Sequence, residues 1–283
     1  MQFGNCDCWK WFNEQFPCFV ERHPALQALR DKIFVGTFHP KHHADYIIFG
    51  LGRVCVEDFE QVLNLCGNGF GIGAMQIVRG MYERQVTAAF LSKYPDEVDK
   101  FTAYDFVHTN KAVNQLKEVY ANEPEILNRI VPERERERIA VNYESVRKDF
   151  MRITCPTCKT EGPMFSWHRY DVPTMALKGQ QPALKDFMYY QYFRPLLFAH
   201  STFKSVEARV VFKEDDSLSF ESTAQRQYIK EALIYGHHLL LHVFELQNKH
   251  FGLGLDGELE RCSHDYLECW NPNGGQPETA VKV

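Results

Sequence analysis

Hydrophobic residues recur along most of this chain at spacings of three and four, the period of helices with one buried face. Between Ala44 and Leu65 the positions Ile48, Leu51, Cys55, Phe59 and Val62 trace such a face, and the run GNGFGIG closes it. Alternating glycines ahead of a helix can expose amides to an anion, but no strand precedes these, so a loop joining two helices fits better. A second periodic stretch, Ile72 to Lys93, carries Ile72, Met75, Val86 and Phe90, with Arg79 and Glu83 set inside the apolar stripe. Pro95 and Pro124 each open a further helix at the position where a missing amide costs nothing. The run PERERERIAVNYESVRKDFMR alternates in charge and reads as a long solvated helix. From Thr223 to Lys249 an apolar side recurs at Ile229, Ala232, Leu233, Leu240 and Val243. The opposite side presents His238, His242 and Glu245 at a spacing able to hold a metal, and reads as solvated surface.

Strand signals are scarce: ARVVFKEDDSLSFES alternates and turns like a short hairpin. The fold class expected is therefore all-α, a multi-helix bundle with one hairpin excursion. Residues 1–40, interrupted by Pro17, Pro24 and Pro40, read as an arm of short helices or irregular chain. Residues 41–252 read as the main helical domain, and 253–283 as an extension whose end, NPNGGQPETAVKV, has the composition of a disordered tail.

Chemistry is concentrated in Phe187 to Ser205, where seven aromatic residues surround Arg194 and His200. In one helix Tyr189, Phe193, Leu196 and His200 share a face, which predicts a buried aromatic stripe ending in a histidine. Pro195 clashes with the carbonyl four residues back, so the helix is expected to kink, or to stop and restart at Arg194. Arg79, Tyr82 and Glu83 form a second polar group. Among apolar neighbours the two charges need pairing, either as a buried structural pair or as the wall of a pocket that also includes His200.

Composition narrows the classes. A formal net charge of −5 lacks the basic excess of a duplex-DNA binder, though a local basic cleft stays open. No apolar run approaches the ~18 residues of a membrane span, and the amino terminus lacks a basic flank followed by an apolar core, so the chain reads as cytoplasmic. Nine cysteines in that setting are expected as free thiols, with one metal site among them as an alternative. Cys155 and Cys158 make a CxxC knuckle near 153–168, half of a structural zinc site. Cys6 and Cys8, Cys262 and Cys269, or His168 are sources of the remaining ligands. The other reading is two free thiols in an ordinary turn.

The run VRGMYERQVTAAFLSKYPDEVDKFTAYDFVHTNK, with the later aromatic stretch ending in His200 and Ser201, resembles a bacterial all-helical family of unassigned function over roughly residues 45 to 250. The segment Arg194, PLLFA, His200 is also similar to HEPN ribonucleases and toxins. That similarity implies metal-free RNA cleavage, with the histidine moving a proton and the arginine holding the phosphate, often across a homodimer. Two functions are thus expected in competition. One is an RNA-directed endoribonuclease using Arg194 and His200. The other is a non-catalytic helical module that binds a small ligand or partner.

Overall fold

Phe12 and Phe19 bury themselves from successive helices, α1 (Cys6–Gln15) and α2 (Pro17–Phe34). Pro17 lies in the first turn of α2, where no amide is needed. Pro24 sits inside α2 without ending it, so the proline-marked beginning of the chain is more regular than its sequence suggests. The computed structural model describes residues 4, 6–155, 157–179, 181–200, 202–215, 217–220 and 226–271. The expected disordered tail beyond Asn271, and the start of the expected helix at Thr223, lie outside them.

Helix α3 (His43–Gly67) is held at its start by the Asp45 carboxylate, which accepts the amides of Lys41 and His42, each at 3.0 Å. The loop that follows is the one expected from the glycines: Gly69 takes φ 91°, and α4 (Gly71–Lys93) begins two residues on. A 3-10 turn, Pro95–Glu97, precedes α5 (Val98–Val119), followed by α6 (Pro124–Ile130) and α7 (Glu133–Val146). Strands β1 (Met151–Ile153) and β2 (Glu161–Pro163) pair antiparallel. Then come α8 (Val172–Lys178), α9 (Pro182–Asp186), a π-helical turn (Tyr189–Phe193), α10 (Arg194–Ala199) and α11 (Phe203–Glu207). The expected hairpin is present as β3 (Val210–Phe212) and β4 (Leu218–Phe220), and α12 (Ile229–Phe251) and α13 (Asp256–Trp270) complete the description. The chain is all-α, with the two short sheets as its excursions. Among the described residues no helix is long and apolar enough to cross a membrane.

The chain divides into two compact units, Tyr94–Thr174 forming one and the flanking segments the other. In the flanking unit α3, α4 and α12 pack on one another around Ile48, Cys55, Val62, Met75, Val78, Leu233 and Phe244, none of which reaches solvent. Three close approaches fix their positions. A Cβ at Gly52 would strike the Gln247 amide of α12, one at Gly67 the Trp9 ring of α1, and one at Gly71 the Gln227 carbonyl oxygen just before α12. In the other unit α5 and α7 pack over Val107, Val113, Ile139 and Phe150, and Phe101 meets Trp167 edge to face.

The cysteines depart from the all-thiol expectation. Cys18 of α2 and Cys269 of α13 are joined as a disulfide across 251 residues of sequence. Closing so long a loop removes unfolded-state entropy, worth about 5 kcal/mol in the chain-entropy account. Replacing both cysteines by serine, or reducing the bond, is expected to lower the melting temperature by several degrees. An unchanged melting curve would show that the crosslink contributes nothing.

Candidate functional site

Helix α13 ends where α1, α2 and the start of α12 converge, and a cavity of about 490 Å³ lies there. Its walls are Trp11, Phe16, Tyr228 and Trp270, with Arg226, Lys230 and Glu231 at the rim and the Cys18–Cys269 pair at its side. The Arg226 guanidinium lies over the Trp11 ring at 4.5 Å. Tyr228 caps α12 at φ 67°, a left-handed conformation that costs a bulky residue energy, and gives it no side-chain cap. The Ile229 and Ala232 amides of the first turn donate to the Arg226 and Tyr228 carbonyls, and the positive end of a 23-residue helix dipole lies in this region.

Trp270 is set in place by a histidine. Its Nε1 donates to His237 Nδ1 at 3.2 Å, and His237 is enclosed by Phe19, Phe59 and Tyr266. Burial, helped by the nearby His23, holds His237 down to about 3, so the ring stays neutral and keeps its acceptor.

The other side of α12 is solvated at Glu245, as its sequence suggests, but not at His238, which Phe187, just after α9, and the π-helical turn cover. The Phe187 ring lies against the His238 ring, tilted by 43° with centroids 4.2 Å apart, and Gln191, fully buried, hydrogen-bonds His238 Nδ1 at 2.9 Å. His238 Nε2 meets His242 Nε2 at 3.1 Å, and His242 Nδ1 meets the Glu245 carboxylate at 2.7 Å. The result is a directed chain: the Gln191 amide donates to His238, His238 to His242, and His242 to Glu245. Burial, then the charges of His242 and His237, pushes His238 down to about 3. Gln191 was invisible to periodicity. Its one signal in sequence is that it is the single polar residue in the aromatic run YYQYF. A π-turn shifts the helical register by one residue and carries it inward.

The expected site residues are distributed. The helix does not stop at Arg194, which keeps helical torsions at φ −63° and ψ −45°; the winding passes there from π to α, with Pro195 in the first turn of α10. The aromatic stripe, however, is not buried: Tyr189 and Phe193 are exposed, and His200 follows the last residue of α10 in extended, exposed backbone. Arg194 turns to the start of α12, lying over Tyr228 at 5.2 Å and 4.0 Å from Glu231. Arg79 and Glu83 pair at 2.9 Å with side chains 21% and 39% exposed, so the pair is half-buried rather than sealed. Tyr82 is core, its hydroxyl donating to the Leu184 carbonyl at 2.6 Å. Tyr192 joins them, its ring lying under the Arg79 guanidinium at 5.2 Å and tilted against the Tyr82 ring at 5.7 Å.

Cys155 and Cys158 lie beside the β1–β2 turn of the smaller unit. Hydrogen bonds from Thr160 and then Cys155 bring the exposed Cys158 thiol down to about 7. Cys6 and Cys8 are on α1 of the other unit, Cys269 is committed to its disulfide, and His168 Nδ1 accepts the Tyr170 amide at 3.0 Å. Among the described residues, the side chains close enough for three to share an ion are His264, Asp265 and Glu268. Arg22 already occupies that position, 2.7 Å from Asp265 and 2.8 Å from Glu268.

The two depressed histidines make stability depend on pH. Between the ordinary value of 6.5 and about 3 the unfolded chain takes up protons that the folded chain refuses, so stability is complete above 6.5 and falls as pH drops. Each contributes a slope of up to about 1.4 kcal/mol per pH unit. Urea unfolding between neutral pH and about pH 5 should show this loss, and His238→Gln should flatten it. A pH-independent midpoint would mean that neither ring is buried neutral.

No curated protein and no solved structure matches the chain. The match is to a family model described as a family of unknown function, DUF5677, over residues 45–218, which takes in α3, α4, the smaller unit, the π-helical turn and Arg194 with His200. The chain therefore belongs to the DUF5677 family.

Proposed function

We propose that this protein is a helical binding module whose aromatic cavity receives a planar ligand carrying a phosphate, a nucleotide being the simplest case. The observation that carries the reading is the cavity itself. At about 490 Å³ it falls within the size range of small-molecule sites. Trp11, Phe16 and Trp270 supply faces on which a base stacks, and Arg226 and Lys230 supply cations beside the uncapped start of α12, where a phosphate is favoured. Glu231 is the one carboxylate in the lining, and Arg194 stands 4.0 Å behind it, offsetting its charge. Nothing in this arrangement requires a bond to break.

Tryptophan fluorescence tests it directly, since two of the walls are indoles. Titration with nucleoside monophosphates should quench emission saturably, and Arg226→Ala, at an exposed position, should weaken binding at least about tenfold through loss of the charged contact. Absence of saturable quenching, or equal affinity in Arg226→Ala, would sink the cavity as a nucleotide site.

A second reading, metal-independent RNA cleavage by Arg194 and His200, is favoured by one observation: the six-residue helix α10 begins with the arginine and is followed at once by an exposed histidine. Here His200→Ala should leave the melting temperature unchanged and lower cleavage by about two to four orders of magnitude. Wild-type protein that leaves RNA intact, tested without metal near neutral pH, rules this reading out.

A further inference from the structure

His238 and His242 meet through their Nε2 atoms at 3.1 Å, while each Nδ1 is held by a second group, Gln191 for His238 and Glu245 for His242. We propose that this pair is a binding site for a divalent transition metal, Zn²⁺ being the natural occupant, independent of the ligand cavity. One helix supplies both rings at i and i+4, the spacing that brings side chains onto one face.

The geometry is that of two ligands awaiting an ion. At zinc–nitrogen distances of about 2.0–2.1 Å, nitrogens 3.1 Å apart subtend about 100° at the metal, and opening the pair by a few tenths of an ångström gives the tetrahedral angle. In metal centres a carboxylate or carbonyl oxygen takes the proton of the non-ligating nitrogen and fixes the tautomer. Glu245 does this for His242 at 2.7 Å. Gln191 is poised to do it for His238. Its amide nitrogen now pairs with Nδ1 while its Oε1 is buried without a hydrogen-bond partner. A half-turn of the amide presents that oxygen to an Nδ1–H and keeps one amide atom paired, so the exchange loses no hydrogen bond.

The electrostatics lead to the same place. With His242 donating from Nδ1 to Glu245, its Nε2 is a bare lone pair facing the Nε2 of His238. Two such lone pairs at 3.1 Å repel unless a proton or a metal ion lies between them. In the metal-free protein the Nε2–H of the neutral His238 ring fills that place; the site exchanges it for a metal, and the displaced proton settles on Nδ1. The His242 side chain is 17% exposed, which leaves an approach from solvent and room for water in the remaining coordination positions. Imidazole ligands place the site among the borderline metals, with Cu²⁺, Ni²⁺ and Co²⁺ as alternatives to Zn²⁺.

The test uses the full chain with Cys155 and Cys158 changed to serine, stripped with a chelator and titrated with Zn²⁺ by calorimetry. About one equivalent should bind and raise the melting temperature. His242→Ala should weaken that binding by about 100-fold or more, and Gln191→Leu and Glu245→Ala by about 10- to 100-fold. Glu245 is exposed, so its variant keeps the measurement decisive if a buried substitution disturbs the fold. Absence of a stoichiometric site, or affinity that all three substitutions leave unchanged, overturns the proposal and assigns any residual binding to the His264 cluster or other surface groups.

Discussion

The hydrogen bond from Gln191 to His238 is the constraint around which one side of the molecule is arranged. Helix α12 buries apolar residues against α3 and α4 and also buries histidines on other sides, so it has almost no free face. A buried imidazole without a partner costs on the order of 1–3 kcal/mol, enough to favour a different packing. Gln191 removes that cost. It can do so because Tyr189–Phe193 is wound as a π-turn, which points a polar side chain inward from a run of aromatic residues. The change from π to α winding at Arg194 follows from the same turn and leaves Pro195 in the first turn of α10.

The amino-terminal helices depend on the same helix from another side. His237, one residue before His238, turns toward α2, α3 and α13 and accepts from Trp270, while the Cys18–Cys269 disulfide joins α2 to α13. Arg22 adds ion pairs to Asp265 and Glu268 across the same seam. Half-exposed pairs of this kind contribute modestly, so the crosslink and the buried aromatic contacts carry more of the clasp. The cavity is what that clasp leaves unfilled beside the uncapped, left-handed Tyr228. Its polarity comes from residues near the start of α12 and its apolar walls from both ends of the chain, a division that suits a ligand with a ring at one end and a charge at the other.

Much of the framework was legible from periodicity. The stretches Ala44 to Leu65 and Ile72 to Lys93 became α3 and α4 within a few residues, and the glycine loop and the β3–β4 hairpin appeared where their composition placed them. These features depend on local spacing, which a helix or a tight turn converts directly into geometry. Membership of DUF5677 was likewise carried by contiguous residues. The Arg79–Glu83 spacing correctly indicated an ion pair but not its exposure, because exposure depends on what packs beside α4, and Tyr192 covers only part of it.

What the sequence determined by itself was therefore the helical content and the approximate ends of the long helices. Tertiary structure decided which polar residues are buried. Spacing alone left the His238 face of α12 looking solvated, because the residues that cover it, Phe187 and Gln191, come from a segment about 50 positions earlier. It also suggested burial for His200, which lies exposed because α10 ends at Ala199 before a further turn can form. Cys18 and Cys269, 251 residues apart, carry no local mark of being partners. Each of these outcomes rests on contacts between segments remote in sequence, and periodicity within one helix holds no information about what will pack on it.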